Sequence, residues 1–207
     1  MTDWEYGGAY RKYNMEGVIT LPTGELKVHN IFDPLPEFML QADCIFSDPP
    51  CSKQNINSFY TKADRCDYQE SFEPFTVRFF ECIDQIKPKN IFIEVFKSNK
   101  NRFISECEAR YDHVEVYDST YYHKSQNNCW IIHASDEVTS LPLNGMDEEE
   151  VIAWICGNFD YECIGDLCMG TGLVGWYAHL NGRRFVGTEL NKKRLALLVD
   201  RIMNHIK

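Results

Sequence analysis

The alternation of short β-rich runs with helical segments is the feature that most constrains the fold of this chain. Strands are predicted at residues 43–47, 90–96, 162–167 and 184–189, and helical segments lie between them. Strands that alternate with helical segments of roughly 10 to 15 residues form βαβ units, in which helices cover a parallel sheet. The sequence therefore predicts an α/β fold with a mainly parallel sheet and helices on both faces.

The remaining elements follow from apolar periodicity and turn residues. Residues 17–28 predict a small hairpin around Pro22-Thr23-Gly24. Further strands are predicted at 114–117 and 129–132, and helices at 71–86, 100–110, 147–156, 172–181 and 192–206. A chain of 207 residues fits one compact domain. We expect residues 1–16 to form an N-terminal arm and 17–207 to form a single domain.

The charge of the chain is strongly acidic but unevenly distributed. Lys and Arg number 21 against 31 Asp and Glu, which gives a net charge of −10. Such a balance disfavours a protein that grips a polyanion by electrostatic attraction alone. Residues 135–150 contribute −6 and contain no Lys or Arg, so the rest of the chain carries −4. Much of the acidity thus belongs to one predicted linker, and a nucleic-acid partner stays compatible with the sequence.

Cysteine spacing and hydropathy indicate the compartment. The nine cysteines form no CxxC pair, which disfavours a zinc site or a redox dithiol, and their odd number suits free thiols in a reducing compartment. No stretch approaches the roughly 18 apolar residues that cross a bilayer, and residues 1–6 lack a secretion signal. We expect a cytoplasmic protein with neither a bound metal nor a membrane partner.

The first chemically informative loop is the glycine-rich segment 164–173. Gly170 and Gly172 allow a sharp turn and a close approach of a ligand to the main chain before a helix N-terminus. The next predicted strand ends in Glu189, where a carboxylate can accept both hydroxyl groups of a ribose. The segment therefore predicts half of a nucleoside-cofactor site.

An NAD site is an alternative interpretation of this loop. Residues 170–175 match GxGxxG, and Glu189 lies 19 positions after Gly170. However, the first strand leads to Asp166, which suits an ammonium group better than a pyrophosphate, and only 18 residues follow Glu189. An NAD-dependent oxidoreductase is therefore less favoured, and a purely structural glycine turn is a further alternative.

The second informative loop is Ser47-Asp48-Pro49-Pro50-Cys51. Two prolines end the preceding strand and fix the turn, so the Asp48 carboxylate and the Pro49 carbonyl can face one cleft. Two acceptors that hold the hydrogens of an aromatic amine draw its nitrogen toward tetrahedral geometry and free the lone pair for attack. A structural Asp-Pro-Pro turn without chemistry is the alternative. If both loops are functional, we expect them to share one crevice.

Together the two loops resemble the S-adenosylmethionine-dependent DNA amino-methyltransferases of the permuted beta group. In that group a (D/N/S)PP(Y/F/W) motif comes first and a DPFxGxGT motif comes last, as Asp48-Pro49-Pro50 and residues 166–172 do here. Residues 180–191 (LNGRRFVGTELN) are similar to the family's GRRFIGIELN stretch. The resemblance covers residues 17–52 and 147–205.

The resemblance implies a class I methyltransferase-like (Rossmann-like) domain. Its sheet would have seven strands in the order 3-2-1-4-5-7-6, with the last strand antiparallel. Residues 17–134 would form a catalytic half, 135–150 an acidic linker and 151–207 a cofactor-binding half.

The resemblance also implies roles for individual residues. Asp48 would bind the target amine as part of the catalytic motif Asp48, Pro49, Pro50 and Cys51. Asp166 would meet the amino group of the cofactor's methionine moiety, and Glu189 would hold the ribose. The implied S-adenosylmethionine-binding set is Asn30, Phe46, Asp166, Cys168, Gly170, Thr171, Gly172 and Glu189, with Asn30 and Phe46 near the cofactor's adenine.

Two departures from the family pattern bear on the substrate. Cys51 stands where the family has an aromatic residue that stacks on the flipped base, and Cys168 stands in place of the common Phe. The expected substrate-binding residues are therefore Phe59 and Tyr60, for stacking, and Lys53, Lys62 and Arg65, for the flanking phosphates. No dedicated target-recognition domain fits between the two motifs, so a homodimer or a partner subunit would supply that surface.

The function expected from the resemblance is methyl transfer to an exocyclic amine of a nucleobase. The expected target is adenine N6 in DNA, the chemistry of restriction–modification enzymes, with cytosine N4 or an RNA acceptor left open. The alternative is a catalytically inactive subunit that binds S-adenosylmethionine.

Overall fold

The structure is a computed structural model that describes residues 3–66, 72–121 and 124–205. The strands are β1 (Val18–Leu21), β2 (Gly24–Val28), β3 (Cys44–Ser47), β4 (Asn90–Val95), β5 (His113–Tyr121), β6 (Lys124–Ser135), β7 (Cys163–Asp166) and β8 (Arg184–Glu189). The helices are α1 (Lys53–Lys62), α2 (Glu73–Ile86), α3 (Lys100–Glu108), α4 (Glu148–Asn158), α5 (Leu173–Leu180) and α6 (Lys192–His205). Two 3-10 segments lie at Asp3–Arg11 and Glu37–Gln41.

All strands belong to one sheet in the order β1-β2-β8-β7-β3-β4-β6-β5. Four neighbouring pairs are parallel, from β2 to β4, whereas β1–β2, β4–β6 and β5–β6 are antiparallel. The expectation of seven mainly parallel strands is therefore corrected to eight strands in a mixed sheet. The additional strand, β1, forms because the turn at Pro22-Thr23 folds it back on β2. From β2 onward, the order and the antiparallel β6 match the expected arrangement.

The sheet separates two apolar cores because successive side chains of a strand point to opposite faces. Phe46 and Phe92 belong to the core under α4, α5 and α6. Their neighbours Ile45 and Ile91 belong to the core under α1, α2 and α3. Helices thus cover both faces, as the alternation of elements predicts.

Most element bounds lie within a few residues of the predicted ones, with two exceptions. Helix α1 was not predicted from the sequence, and it buries only Ile56 and Tyr60. It begins after Ser52, whose Oγ accepts a hydrogen bond from the Asn55 N–H. The strands predicted at 114–117 and 129–132 are much longer, as β5 and β6. Ser71 and Ile206, predicted as helix ends, lie outside the described residues.

The predicted N-terminal arm packs on α6 in its described part. Tyr13 Oη donates to Asp200 Oδ1 at 2.9 Å, and Lys193 Nζ lies 3.2 Å from Glu5 Oε1. Ala9 is buried in the core that contains α6. Among the described residues, none of the helices is both long and apolar enough to cross a membrane.

The sheet order places β7 beside β3 at its centre. From β7 the chain continues to β8 on one side, and from β3 it continues to β4 on the other. This reversal of strand order creates a crevice beyond the carboxyl ends of β7 and β3, where open α/β sheets bind their ligands.

Candidate active site

A cavity of about 660 Å³ lies at the carboxyl ends of the central strands. This volume is within the range of about 300 to 1,000 Å³ that small-molecule sites usually have. The cavity is lined by several of the residues singled out from the sequence: Asn30, Phe46, Asp48, Pro50, Phe59, Tyr60, Lys62, Asp166, Cys168, Gly170, Thr171 and Glu189. Residues from both chemically informative loops therefore meet in one place.

The two loops are joined by the buried side chain of Ser47. Its Oγ donates to Asp166 Oδ1 at 2.9 Å and accepts from the Leu167 N–H at 3.0 Å. The prediction that these turns share one crevice is confirmed by this contact and by the pairing of β3 with β7. A single hydroxyl group thus fixes the position of one loop relative to the other.

Asp166 ends β7 and is 4% exposed. Besides the Ser47 bond, its Oδ1 accepts from the Cys168 N–H at 2.9 Å. Burial raises the pKa of Asp166 to about 7, although these two hydrogen bonds act in the opposite direction. A cationic ligand would stabilise the ionised form of this buried carboxyl group, because its positive charge compensates for the lost hydration.

Glu189 ends β8 and is held in a similar way. Its Oε2 accepts from the Gly170 N–H at 2.6 Å, and its Oε1 accepts from the Asn191 N–H at 2.9 Å. Burial raises the pKa of Glu189, and the positive charge of Arg194 lowers it. Glu189 therefore fastens the glycine turn while its carboxylate lines the cavity.

The glycine turn adopts a conformation that side chains rarely allow. Gly170 and Gly172 have φ values of 56° and 83°. A Cβ atom on Gly172 would lie 2.6 Å from Leu198 Cδ2, so only glycine lets the turn pack on α6. Gly172 supports the turn from below, whereas Thr171 lines the cavity directly.

Asp48 follows β3 and its side chain is exposed to the cavity. Although water reaches it, surrounding protein still desolvates the carboxyl group and raises the pKa of Asp48 to about 7. Arg194 opposes this rise, and Glu148 adds to it. An Asp with such a pKa accepts hydrogen bonds in its ionised form and becomes neutral in mildly acidic solution.

The rest of the Asp-Pro-Pro-Cys loop has mainly a structural environment. Pro49 is buried and Pro50 is half-buried. The Cys51 thiol donates to Asn55 Oδ1 at 2.8 Å and does not line the cavity. Cys51 therefore contacts α1, and a thiol has no ring face that could stack on a substrate base.

The proposed substrate residues lie on α1 or just after it. Phe59, Tyr60 and Lys62 line the cavity, whereas Lys53 is exposed outside it and Arg65 lies over the Tyr60 ring, also outside the lining. Helix α1 therefore forms one wall of the crevice.

The two residues expected near the cofactor's adenine differ in their surroundings. Asn30 Oδ1 accepts from Tyr60 Oη at 2.8 Å, so Asn30 and α1 position each other. Phe46 is 1% exposed, stacks on Phe92 and lines the cavity.

Several residues of the site were not predicted from the sequence, and four of them bear on its hydrogen bonding and charge: Ser47, Glu94, Glu148 and Arg194. The signal for Glu94 is a single carboxyl group in the apolar run NIFIEVF. Glu148 was assigned to the acidic linker and to the first turn of a helix, but it is buried and lines the cavity. Arg194 carries no local motif, and only the packing of α6 brings it to the crevice.

Comparison with solved structures relates this fold to DNA methyltransferases. M1.HpyAVI superposes with a TM-score of 0.61 and 14% identity over 86% of this chain and 98% of its own. The PvuII DNA methyltransferase, cytosine-N4-specific, superposes with a TM-score of 0.58 and 9% identity over 93% of this chain and 96% of its own. The chain has the fold of these proteins.

A third similar structure is TTHA0409 from Thermus thermophilus, a protein assigned as a DNA modification methylase. It superposes with a TM-score of 0.56 and 14% identity over 80% of this chain and 88% of its own. M1.HpyAVI has also been solved in complex with S-adenosylmethionine, and that structure superposes with a TM-score of 0.58. No protein-family model matches the chain, and no curated protein matches its sequence.

Proposed function

We propose that this protein is an S-adenosylmethionine-dependent methyltransferase that acts on an exocyclic amine of a nucleobase in DNA, with adenine N6 as the first candidate. The observation that carries the proposal is the Ser47 contact, which joins the Asp48 loop to the Asp166 loop inside one cavity. The shared fold with the PvuII cytosine-N4 methyltransferase supports the reaction class. The M1.HpyAVI complex supports the cofactor.

The charge of the cavity suits this cofactor. Asp166 and Glu189 are buried carboxyl groups, and the positive charge of Arg194 acts on Glu189. S-adenosylmethionine carries an ammonium group and a sulfonium centre, and it supplies an electrophilic methyl group when bound. Asp166 would hold the ammonium group, and Glu189 would accept the ribose hydroxyls.

Asp48 would position the target amine for in-line attack. Its ionised carboxylate accepts one amine hydrogen, and the Pro49 carbonyl accepts the other. Positioning and electrostatics are the contribution of the protein, because the cofactor provides the reactive group. Asp48 can take up the proton that the amine loses, since its pKa of about 7 lies near neutrality.

A base inside duplex DNA must leave the stack to reach this cavity. Phe59, whose ring centroid lies 5.4 Å from Arg194 and 5.5 Å from Lys62, would stack on such a base once these cations give way. Lys62, on the same wall formed by α1, would then contact a neighbouring phosphate. Lys53 and Arg65 extend this basic surface beyond the cavity. Because the chain has a net charge of −10, it offers few Lys and Arg side chains for phosphate contacts, and a second subunit would supply further ones.

The deciding experiment measures cofactor binding and methyl transfer separately. We expect calorimetry to show binding of S-adenosylmethionine and none of NAD. A tritiated-methyl assay should label unmethylated DNA rather than RNA or protein, and digestion of the DNA to nucleosides distinguishes N6-methyladenine from N4-methylcytosine. Asp48→Ala should abolish labelling and leave cofactor binding within about twofold, since Asp48 does not contact the cofactor's ammonium group. Full turnover by this variant would refute the catalytic assignment.

One observation favours a second candidate, a cofactor-binding subunit without catalysis. The family aromatic is replaced by Cys51, whose thiol has no ring face and donates to Asn55 Oδ1. Under this candidate, S-adenosylmethionine would bind normally while no methyl group reached DNA, RNA or protein.

A further inference from the structure

The part of the crevice around Asp48, where the target nucleobase would bind, is its base end. Glu94 is a buried acid at this end, and the proposed reaction does not use it. It lies on β4, is 2% exposed and lines the cavity. In the parallel pairing of β3 with β4, Ser47 is opposite Ile93 and Phe46 is opposite Phe92. Asp48 and Glu94 are the next residues along the two chain segments. Both line the cavity, and the charge of Asp48 acts on Glu94.

The Glu94 carboxyl group is not satisfied by the protein around it. Its Oε1 is buried and has no hydrogen-bond partner among the described residues. The charged groups that face it are the carboxyl groups of Asp48 and of Glu148 on α4, and the Cys129 thiol on β6 is within hydrogen-bonding reach. A buried polar atom without a partner is costly, and in a cavity wall a bound ligand is one way to supply the missing hydrogen bond.

The surroundings of Glu94 favour its neutral form. Burial, together with repulsion from Asp48 and Glu148, raises the pKa of Glu94 well above its usual range, and the Cys129 contact only weakly opposes this. A neutral carboxyl group differs from a carboxylate because it donates one hydrogen bond. In residues 3–66, 72–121 and 124–205 no three His, Cys, Asp or Glu side chains are grouped to hold a metal ion.

We propose that Glu94 is a base-recognition residue whose carboxyl O–H donates a hydrogen bond to the ring nitrogen next to the exocyclic amine of the target base. This inference rests on the proposed function and specifies how that site selects its substrate. Adenine N1 and cytosine N3 are acceptors beside an amine, whereas guanine N1 and thymine N3 carry a hydrogen. Asp48 and Glu94 together therefore fit an acceptor nitrogen beside an amine, and they exclude bases with a ring N–H at that position.

The test compares nucleosides as probes of the base subsite. Deoxyadenosine has the acceptor nitrogen N1 beside its amine, whereas 1-deaza-deoxyadenosine keeps the amine and has a C–H group in place of N1, so the two differ only at the atom assigned to Glu94. The protein is first saturated with S-adenosylmethionine so that deoxyadenosine cannot occupy the cofactor site, and binding is followed by NMR titration. We expect the wild-type protein to bind deoxyadenosine about tenfold more tightly than 1-deaza-deoxyadenosine, as one well-placed hydrogen bond allows.

Two substitutions at Glu94 separate hydrogen bonding from structural support. Glu94→Gln keeps a donor and an acceptor and should retain the preference, whereas Glu94→Leu should lose it, with deoxyadenosine weakened about tenfold. Glu162→Leu, on the exposed surface outside the cavity, is the matched control and should change nothing. If the Leu variant keeps the preference, or the wild-type protein shows none, the inference is overturned.

The pH dependence of nucleoside binding distinguishes a hydrogen-bonding role of Glu94 from a purely structural one, because a structural role would not depend on its ionisation. Wild-type preference for deoxyadenosine should disappear as the pH rises and Glu94 ionises, whereas the Gln variant should keep it over the same range. Parallel curves for the two proteins would contradict the inference even if the Leu variant failed to fold.

Failure of the proposed function is distinguishable from failure of this inference. If S-adenosylmethionine does not bind the wild-type protein, the proposed function fails. The nucleoside comparison is then made without it, and the Gln and Leu variants still decide the role of Glu94.

Discussion

The cofactor end of the crevice, at Asp166 and Glu189, and its base end, at Asp48 and Glu94, differ in how the protein hydrogen-bonds their carboxyl groups. At the cofactor end, Asp166 and Glu189 each accept two hydrogen bonds from the chain. At the base end, Glu94 Oε1 has no partner in the described part of the chain, and the Asp48 side chain is open to the cavity. The pKa is raised at both ends, because burial outweighs the stabilising contacts.

This difference suggests two kinds of ligand recognition. Backbone N–H groups and the Ser47 hydroxyl fix the carboxyl groups at the cofactor end, so under the proposed function these residues would form a rigid socket for the positively charged cofactor. At the base end the hydrogen-bonding capacity is left for the ligand itself. Substitutions at one end should therefore change the binding of one ligand and leave the other unaffected.

The largest effect is expected on cofactor affinity from a change at Asp166. Asp166→Ala should weaken S-adenosylmethionine binding by about 100-fold or more, because removing one partner of a buried ion pair costs about 3 to 5 kcal/mol. Asp48→Ala should leave that affinity almost unchanged. Calorimetry on both variants checks the contrast, and equal losses would show that the two ends do not act separately.

The rigid socket depends on the backbone conformation of Gly172. Gly172→Ala should lower the free energy of unfolding by about 2 to 5 kcal/mol, since it combines an unfavourable φ with the contact at Leu198. Gly145 has nearly the same φ, 84°, but no atom within 4 Å of the added Cβ, so Gly145→Ala should cost only about 1 kcal/mol. Urea denaturation measures both, and similar losses would remove the steric argument.

The bond between the two ends is tested at Ser47. Ser47→Ala removes the donor to Asp166 and the acceptor of the Leu167 N–H, so stability should fall by about 1 to 3 kcal/mol and cofactor affinity should fall with it. Ser52→Ala, at the start of α1, should cost about 1 kcal/mol of stability and leave cofactor affinity unchanged. If Ser52→Ala also weakened cofactor binding, the Ser47 effect could not be assigned to the joined loops.

The smallest effect concerns the pH dependence of stability. A carboxyl group whose pKa is raised by folding binds its proton more tightly in the folded state, so stability is lost as the pH rises from its unfolded pKa through its folded one. For Asp48 and Asp166 this window runs from about 4 to about 7.

Glu94 also contributes to the loss of stability at high pH, because burial raises its pKa, and Glu94→Gln should remove this contribution. The variant should be more stable than the wild-type protein at pH 8 and no more stable at pH 4, because burial raises the pKa of Glu94 and glutamine does not ionise. Thermal unfolding at the two pH values measures the difference. A pH-independent difference would mean that Glu94 is not held in its neutral form.

Local patterns in the sequence determined most of the elements and the two loops. The strand predicted at 184–189 has the bounds found for β8, and the glycine turn and the prolines after β3 end their strands where expected. These predictions succeed because apolar periodicity and backbone restrictions act over a few neighbouring residues. The chain order of the two motifs also supplied the family resemblance, and with it the sheet order from β2 to β5.

Only the tertiary structure decided which side chains meet. Ser47 lies 119 positions from Asp166, and Glu148 lies on α4, yet packing brings both to the crevice beside Glu94 and Arg194. Helix α1 escaped prediction because only two of its residues are buried, so its apolar pattern is too sparse to detect. The raised pKa values likewise come from burial and from charges brought together across the sheet, and no local pattern encodes either.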